Sequence, residues 1–245
     1  MATRRTTEPP LLVSGANVVR ELLGSAHPVD RVWVRAGAAR DLAERAAARR
    51  VPVEQVGAEV LSRLLPGGAH QGVVARVPAF RYAELGDVLD DPGRAVVVLD
   101  GVQDPQNLGA IVRTARAAGV AGVVLPRDRA AAVTAAVASA AAGHVFCVPV
   151  VRVTNVTRAC EMLKDAGRWL VALVADAERS IFEVAAGVDR PVLVVGGEGA
   201  GLRPLVRRTC DLEASIPMAA GVESLNVSVA TGIALYSLTR NAPVV

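Results

Sequence analysis

The sequence is poor in the residues that build metal centres, disulfide frameworks and base-stacking surfaces. Its 245 residues include three cysteines, three histidines and 3% aromatic residues. Cys147, Cys160 and Cys210 are widely separated and lack metal-ligand spacing, so we expect small buried hydrophobic residues in a reduced, cytoplasmic protein. No metal site is predicted. The scarcity of aromatic residues also argues against base stacking as the main mode of nucleic-acid binding.

The sequence also contains no long apolar run, so no membrane-spanning segment is predicted. Residues 1–10 contain two arginines and no long apolar stretch, so they are predicted to be a flexible tail rather than a signal peptide. Hydrophobic residues nevertheless make up 52% of the chain, enough for a large core.

Positive charge is concentrated in the first third of the chain. Residues 1–81 hold 12 Arg and 7 acidic residues (12 − 7 = +5), and residues 82–245 hold 15 basic and 17 acidic residues (15 − 17 = −2), which together give the net charge of +3. The basic part could face a polyanion. A solvated helix face explains the arginines of residues 38–50 equally well.

The order of predicted elements divides the chain into two α/β parts. Residues 11–78 alternate short helices and strands and are predicted to form a small domain, and residues 79–93 are predicted to be a linker. Residues 94–245 contain six buried, strand-like segments separated by helices, beginning with AVVVLD at 95–100. This pattern predicts a parallel sheet with helices on both faces.

Polar residues follow three of the strands in this second part. The segments are 99–113 (LDGVQDPQNLGAIVR), 194–202 (VVGGEGAGL) and 215–228 (SIPMAAGVESLNVS). Ligands of parallel sheets bind beyond the carboxyl ends of the strands, so the three segments are expected to form one site. A cluster of polar residues at the first turn of the apolar helix after Asn226 exceeds what a single N-cap requires.

Two charged residues of these segments call for a partner. Arg113 follows Ile111 and Val112 in a predicted helix, and an arginine buried there would require an anion, either Glu198 or a ligand phosphate or oxyanion. Glu198 is flanked by glycines, which allow a ligand to approach the backbone closely. From that loop alone, an ordinary glycine turn is the preferred interpretation.

The three segments together resemble the SpoU (TrmH-type) RNA 2′-O-ribose methyltransferases. The motif N-x-G-x-x-x-R is matched by Asn107, Gly109 and Arg113, the G-x-E-G loop by residues 196–199, and I-P-M with S-L-N-V-S by 216–218 and 224–228. The pieces 13–19 and 70–77 are similar to the small substrate-binding domain of the bacterial 23S rRNA guanosine-2′-O-methyltransferase branch. The alanine-rich run 136–146 departs from the polar residues usual in relatives, which bears on target choice and RNA docking.

The resemblance implies a SPOUT domain whose C-terminal end is threaded into a trefoil knot, preceded by a small domain like ribosomal protein L30e. It implies a homodimer that binds RNA, with S-adenosylmethionine as methyl donor and no metal. The implied cofactor-binding residues are Gly196, Gly197, Ile216, Met218, Leu225 and Asn226.

The implied catalytic residues are Arg113, Asn107, Glu198, Asn226 and Ser224. Arginine is effectively always protonated, so Arg113 is expected to bind the RNA phosphate or a developing alkoxide rather than act as a base. Glu198 would hold Arg113, Asn107 or a ribose hydroxyl.

The implied reaction is methylation of a ribose 2′-hydroxyl in RNA, with 23S rRNA and guanosine favoured. Three alternatives stay open on the sequence: an RNA-binding module without transferase activity, a tRNA methyltransferase of the same fold, and a resistance methyltransferase acting on an antibiotic-binding rRNA site.

Overall fold

A computed structural model describes residues 9–37 and 40–240, which form two compact units. The first unit consists of residues up to Arg81 together with Val133–Cys147, and the second of Tyr82–Ala132 and the chain from Val148 onward. Most of the predicted flexible tail, residues 1–8, lies outside the described part of the chain.

The first unit is built on a four-stranded mixed sheet with helices around it. Its strand order is β1-β4-β2-β3, with β4 antiparallel to both β1 and β2, and β2 parallel to β3. The elements are β1 Leu11–Ser14, α1 Ala16–Gly24, β2 Arg31–Arg35, α2 Arg40–Ala48, β3 Val53–Val56, α3 Ala58–Leu64, β4 Val73–Val77 and, later in the chain, α6 Ala135–Ala140.

The alanine-rich segment that carries α6 packs within this first unit, although its sequence position lies inside the predicted methyltransferase domain. Phe146 contacts the rings of Phe80 and His27, with centroid separations of 6.1 and 5.4 Å. His144 Nδ1 lies 3.6 Å from the Glu21 carboxylate. The apolar sequence VFCVPV predicts a strand at 145–150, and this prediction is wrong for 145–149, because residues 144–146 form a 3₁₀ turn and the strand starts at Val150.

The second unit is a six-stranded parallel sheet of order β10-β8-β9-β5-β6-β7. The predicted parallel α/β architecture is confirmed. Its elements are α4 Leu85–Leu89, β5 Val96–Asp100, α5 Pro105–Ala117, β6 Gly122–Pro126, β7 Val150–Val153, α7 Val156–Asp165, β8 Trp169–Leu173, α8 Ile181–Val184, β9 Pro191–Gly196, α9 Pro204–Thr209, β10 Leu212–Ala214 and α10 Val227–Thr239.

The central strands of this sheet are covered on both faces, since every residue of β5, β6 and β9 is buried. Helix α5 starts where Asp104 accepts a hydrogen bond from the Gln106 backbone and Pro105 occupies the first turn. Helix α4 lies within the segment predicted to be a linker, and its Val88 is fully buried in the core of this unit. No helix in the described ranges combines the length and apolar composition needed to cross a bilayer.

A buried arginine ties the chain before β5 to the start of β8. The Arg168 guanidinium donates to the backbone carbonyls of Arg94, Val88 and Asp91 at 2.8, 3.0 and 2.8 Å. Desolvation by burial lowers the pKa of Arg168 from its ordinary value. These bonds hold the segment around α4 on the sheet.

Candidate active site

The three polar segments meet at one edge of the second unit's sheet. Strand β9 lies between β5 and β8, and β8 lies beside β10, all parallel, so their carboxyl ends point the same way. The loops that follow β5, β9 and β10 therefore open at the same edge, as predicted from their position after strands.

A cavity of about 820 Å³ lies at this edge. It is lined by the ends of β8 and β9, the glycine loop, and the loop between β10 and α10. All six residues predicted to bind the cofactor line it: Gly196, Gly197, Ile216, Met218, Leu225 and Asn226. Its volume is in the range of cavities that enclose small-molecule ligands.

The glycine loop 196–201 is folded tightly against its neighbours. A Cβ atom on Gly196 would overlap the backbone of Gly201 and Leu202, and one on Gly197 would overlap the Gly101 carbonyl oxygen. The Asp100 carboxylate, with its side chain only 1% exposed, accepts from the Arg203 backbone at 2.9 Å and from Arg203 Nε at 2.8 Å. Glycine is thus required at 196 and 197 by close backbone approach rather than by nucleotide-phosphate binding.

The three motif side chains from the three segments form one hydrogen-bonded network. Asn107 Nδ2 donates to Glu198 Oε1 at 2.8 Å, and Asn226 Nδ2 donates to Asn107 Oδ1 at 2.9 Å. Asn226 Oδ1 also accepts from the backbone of Ser228 at 2.9 Å, which caps α10. Each amide orientation is fixed by its partners, so Asn107 joins the carboxylate of one loop to the cap of another.

A second cavity, of about 290 Å³, lies on the other side of this network. Its lining includes Gln103, Asp104 and Asn107 from the start of α5. Glu198 and Val227 line both cavities. The network therefore lies at the boundary between the two cavities, where a ligand in the larger cavity would contact a ligand in the smaller one.

The structure does not bring Arg113 to the other predicted catalytic residues. The buried face of α5 consists of Asn107, Leu108, Gly109, Ile111, Val112 and Ala115. Arg113 is exposed, and its guanidinium makes no hydrogen bond or ion pair with another described residue, so the alternative of an ion pair with Glu198 is not observed. Six residues of helix place Arg113 about 9 Å along the axis from Asn107 and on a different side.

Ser224 lines the larger cavity, in an exposed stretch between β10 and α10. It belongs to the cavity wall, whereas Asn107, Glu198 and Asn226 belong to the network. Its hydroxyl makes no hydrogen bond with another of the described residues.

Two charged residues of the larger cavity carry no motif signal and were not predicted. Arg207 Nη1 donates to Asp176 Oδ2 at 3.0 Å, and Arg207 Nε and Nη2 donate to the two oxygens of Glu213 at 2.7 and 2.6 Å. These hydrogen bonds lower the pKa of Asp176 and of Glu213 and raise the pKa of Arg207. Asp176 and Arg207 are 31 residues apart in sequence, and only the fold brings α9 to the turn after β8.

The cavity wall is acidic in balance. Asp176, Glu198 and Glu223 line it, and Arg207 is the one basic side chain among the described residues that do so. Because Arg207 is already paired with two carboxylates, the cavity favours a ligand with positive charge.

The cysteines of this unit are not nucleophiles. Burial raises the pKa of Cys160 and of Cys210 to about 12 in each case, so both remain thiols at neutral pH. In the described part of the chain, no three His, Cys, Asp or Glu side chains are grouped so that they could hold a metal ion.

Comparison with known families identifies both parts of the chain. Residues 94–236 match the SpoU rRNA Methylase family, and residues 12–83 match the domain described as RNA 2′-O ribose methyltransferase substrate binding. The chain belongs to the SpoU rRNA methylase family. The resemblance stated from the motifs is confirmed, and with it the assignment as an RNA methyltransferase.

Individual relatives match over nearly the full chain. The 23S rRNA (guanosine-2′-O-)-methyltransferase RlmB of Xanthomonas campestris is 42% identical over 93% of this chain and 95% of that protein. A TrmH family tRNA/rRNA methyltransferase of Staphylococcus haemolyticus is 36% identical over 94% of this chain and 95% of its own length. The former is named for rRNA alone, the latter for both classes of RNA.

Solved structures share the fold. The AdoMet-bound rRNA methyltransferase of Sinorhizobium meliloti has a TM-score of 0.83 at 29% identity, covering 96% of this chain and 88% of that one. The SpoU methyltransferase AviRb of Streptomyces viridochromogenes, in complex with AdoMet, has a TM-score of 0.82 at 26% identity, covering 98% and 94%.

Proposed function

We propose that this protein transfers the methyl group of S-adenosylmethionine to a ribose 2′-hydroxyl of 23S rRNA, with guanosine as the target nucleoside, in the cytoplasm. The observation that carries the proposal is the Asn107–Glu198–Asn226 network, which separates a ligand-sized cavity from a smaller one. The 42% identity to an RlmB protein supports the choice of rRNA and guanosine.

The larger cavity suits S-adenosylmethionine. Apolar side chains such as Ile216, Met218 and Leu225 offer a surface for the adenine, and Gly196 and Gly197 expose backbone groups to hydrogen bonding. The acidic balance of the wall favours the cationic donor over its uncharged sulfide product, which assists product release. When bound, the cofactor supplies an activated methyl group on a sulfonium. The trefoil knot around this cavity stays a prediction.

The network gives the catalytic residues distinct roles. Asn107 and Asn226 hold the Glu198 carboxylate at the boundary of the two cavities, where it can accept a hydrogen bond from an incoming ribose hydroxyl. Ser224 contributes to the wall near the cofactor's methionine end. The main contribution of these residues is to align the hydroxyl with the methyl group for in-line displacement.

In the proposed homodimer, Arg113 of one copy lies at the active site of the other copy. Helix α10 is apolar on its outer side as well, with Val229 50% and Tyr236 51% exposed, and it packs against α5, which carries the exposed Arg113. A second copy covering these helices would bury the apolar side chains and bring its Arg113 to the other copy's site. There the guanidinium would bind an RNA phosphate or the developing alkoxide.

Mixing two impaired variants tests this arrangement. Arg113→Ala and Asn107→Asp are each expected to reduce methyl transfer to a residual level while remaining dimeric by light scattering. If Arg113 serves the partner's site, unfolding and refolding the two variants together restores a measurable fraction of activity. If the mixture stays at the residual level although mixed dimers form, Arg113 serves its own chain and the proposal is wrong.

The first unit is proposed to bind the RNA. Arg35, Arg45 and Arg50 are exposed, and their guanidinium groups make no hydrogen bond or ion pair with another residue in the described ranges, so they are available to phosphates. The family match of residues 12–83 to a substrate-binding domain supports this role.

Competition between RNA substrates tests the target. The protein is given labelled S-adenosylmethionine and equal amounts of unmodified 23S rRNA and total tRNA transcripts. Label in 23S rRNA alone supports the proposal, and label in tRNA favours the tRNA alternative that the names of other relatives leave open. Cofactor binding without label in either RNA would identify a binding module without transferase activity.

A further inference from the structure

Two carboxylates in the larger cavity, those of Asp176 and Glu223, have no role in the proposed reaction, and that of Asp176 is held by an ion pair. Asp176 lies three residues beyond the carboxyl end of β8, in a turn, and its side chain is 68% exposed. It lines the same cavity as the glycine loop. A free aspartate at such a position would be conformationally mobile, but this one is held.

Arg207 fixes the Asp176 carboxylate in place. The guanidinium is clamped on one edge by both oxygens of Glu213, in β10, and its Nη1 donates to Asp176 Oδ2 at 3.0 Å. A bidentate carboxylate pair sets the plane of a guanidinium, so the third contact is directed by geometry as well as charge. Asp176 Oδ1 accepts no hydrogen bond from another residue in the described part of the chain.

The position of Asp176 assigns it to a part of the ligand that does not react. The boundary with the smaller cavity is formed by Glu198 and Val227, and Asp176 does not line that smaller cavity. Ser224 and Asn226, proposed to face the methionine end, come from the loop before α10. The end of β8 is therefore left for the nucleoside portion of the cofactor.

We propose that Asp176 accepts hydrogen bonds from the 2′- and 3′-hydroxyls of the cofactor's ribose, with Arg207 and Glu213 as positioning residues. This inference rests on the proposed function, because it takes S-adenosylmethionine as the ligand of the cavity. An ionised carboxylate is an acceptor only, and a ribose diol offers two adjacent donors. Hydrogen bonds to a charged group are the stronger kind.

Binding of three ligands to wild type and Asp176→Ala tests the proposal by calorimetry. The ligands are S-adenosylhomocysteine, 5′-methylthioadenosine, which lacks the amino acid, and the 2′,3′-dideoxy analogue of 5′-methylthioadenosine. We expect the variant to bind the first two more weakly by the same factor, about tenfold to hundredfold, and the dideoxy analogue as well as wild type does. Glu178→Ala, in the same turn but outside the cavity lining, is the matched control and should bind all three normally.

Each other result overturns the inference. Weakened binding of S-adenosylhomocysteine alone would assign Asp176 to the methionine ammonium, and unchanged binding of all ligands would show that it has no role. If wild type binds none of the ligands, the proposed cofactor is wrong and the inference fails with it. Asp176→Asn, which keeps the shape and one acceptor oxygen, should lose less affinity than Asp176→Ala, and thermal melting checks that both variants fold.

Discussion

Replacing Asn107 by Asp should damage the site more than removing the side chain altogether. Asn107 is buried, with a relative exposure of 7%. Its amide nitrogen donates to Glu198, and its amide oxygen accepts from Asn226. Aspartate has the same shape but presents an acceptor where the donor stood. Asn107→Asp therefore keeps the contact with Asn226 and places a second negative charge beside Glu198.

The size of this effect follows from the contact geometry. The hydrogen bond lost is one to a charged group, worth about 1.5–3 kcal/mol. Two unit charges about 4 Å apart repel by ~4 kcal/mol at an effective dielectric constant near 20. Glu198 is exposed, so solvent screening and side-chain movement reduce the sum, and we expect about 2–3 kcal/mol of lost transition-state stabilisation. That is roughly a thirtyfold to hundredfold fall in kcat/KM.

The assay is methyl transfer to 23S rRNA under conditions where kcat/KM is measured, with three variants side by side. Asn107→Ala removes both hydrogen bonds without adding charge, and Gln106→Ala alters the exposed neighbour on the same helix and should be close to wild type. The predicted order is wild type, then Asn107→Ala, then Asn107→Asp. An Asn107→Asp enzyme as active as Asn107→Ala would refute the claim that the donor to Glu198 is what matters.

Three further predictions concern the glycine loop, the buried arginine before β8, and Arg207. Gly197→Ala should abolish S-adenosylhomocysteine binding in calorimetry, because its Cβ would overlap a backbone oxygen; normal binding would contradict this. Arg168→Met should lower the free energy of unfolding in urea by about 3 kcal/mol, since it leaves three buried carbonyls without a donor; a change below 1 kcal/mol would count against it. Arg207→Ala should raise the pKa of Asp176 and of Glu213 in NMR titrations, because the hydrogen bonds that lower them are lost. Their contribution to stability, present at neutral pH and lost as the pH falls through the lowered pKa values, should disappear with it.

The sheet and the cofactor wall were predictable because they depend on local patterns. A run such as Val96–Asp100, buried throughout, has the composition of a central parallel strand. Segments that follow parallel strands open at one sheet edge, so the segments carrying Gly196 and Asn226 were expected to form one site, whereas the assignment of both residues to a cofactor came from the family resemblance. The stated roles of these residues remain predictions.

The environment of Arg113 was misjudged because neighbours in sequence were taken as neighbours in space. Consecutive helical residues point about 100° apart, so Ile111 and Val112 can be buried while Arg113 faces outward. The spacing of Leu108, Ile111, Val112 and Ala115 already defines the buried stripe.

Other features depend on contacts between segments distant in sequence, which no local pattern carries. The Arg207–Asp176 pair spans 31 residues and joins a helix to the turn after a strand. The segment Val133–Cys147 is alanine-rich, and its sequence predicts a helix without indicating which of the two units contains it. Only its contacts with residues such as Glu21 and Phe80 place it in the first unit.

The chemical identity of the methylated nucleoside decides whether the protein is a ribose methyltransferase. 23S rRNA transcribed without modifications is incubated with the protein and deuterated S-adenosylmethionine, digested to nucleosides and examined by mass spectrometry. We expect one deuterated species, guanosine methylated on the ribose, which is absent with Arg113→Ala. A deuterated methyl group on a base, or none on any RNA nucleoside while the cofactor binds, would contradict it.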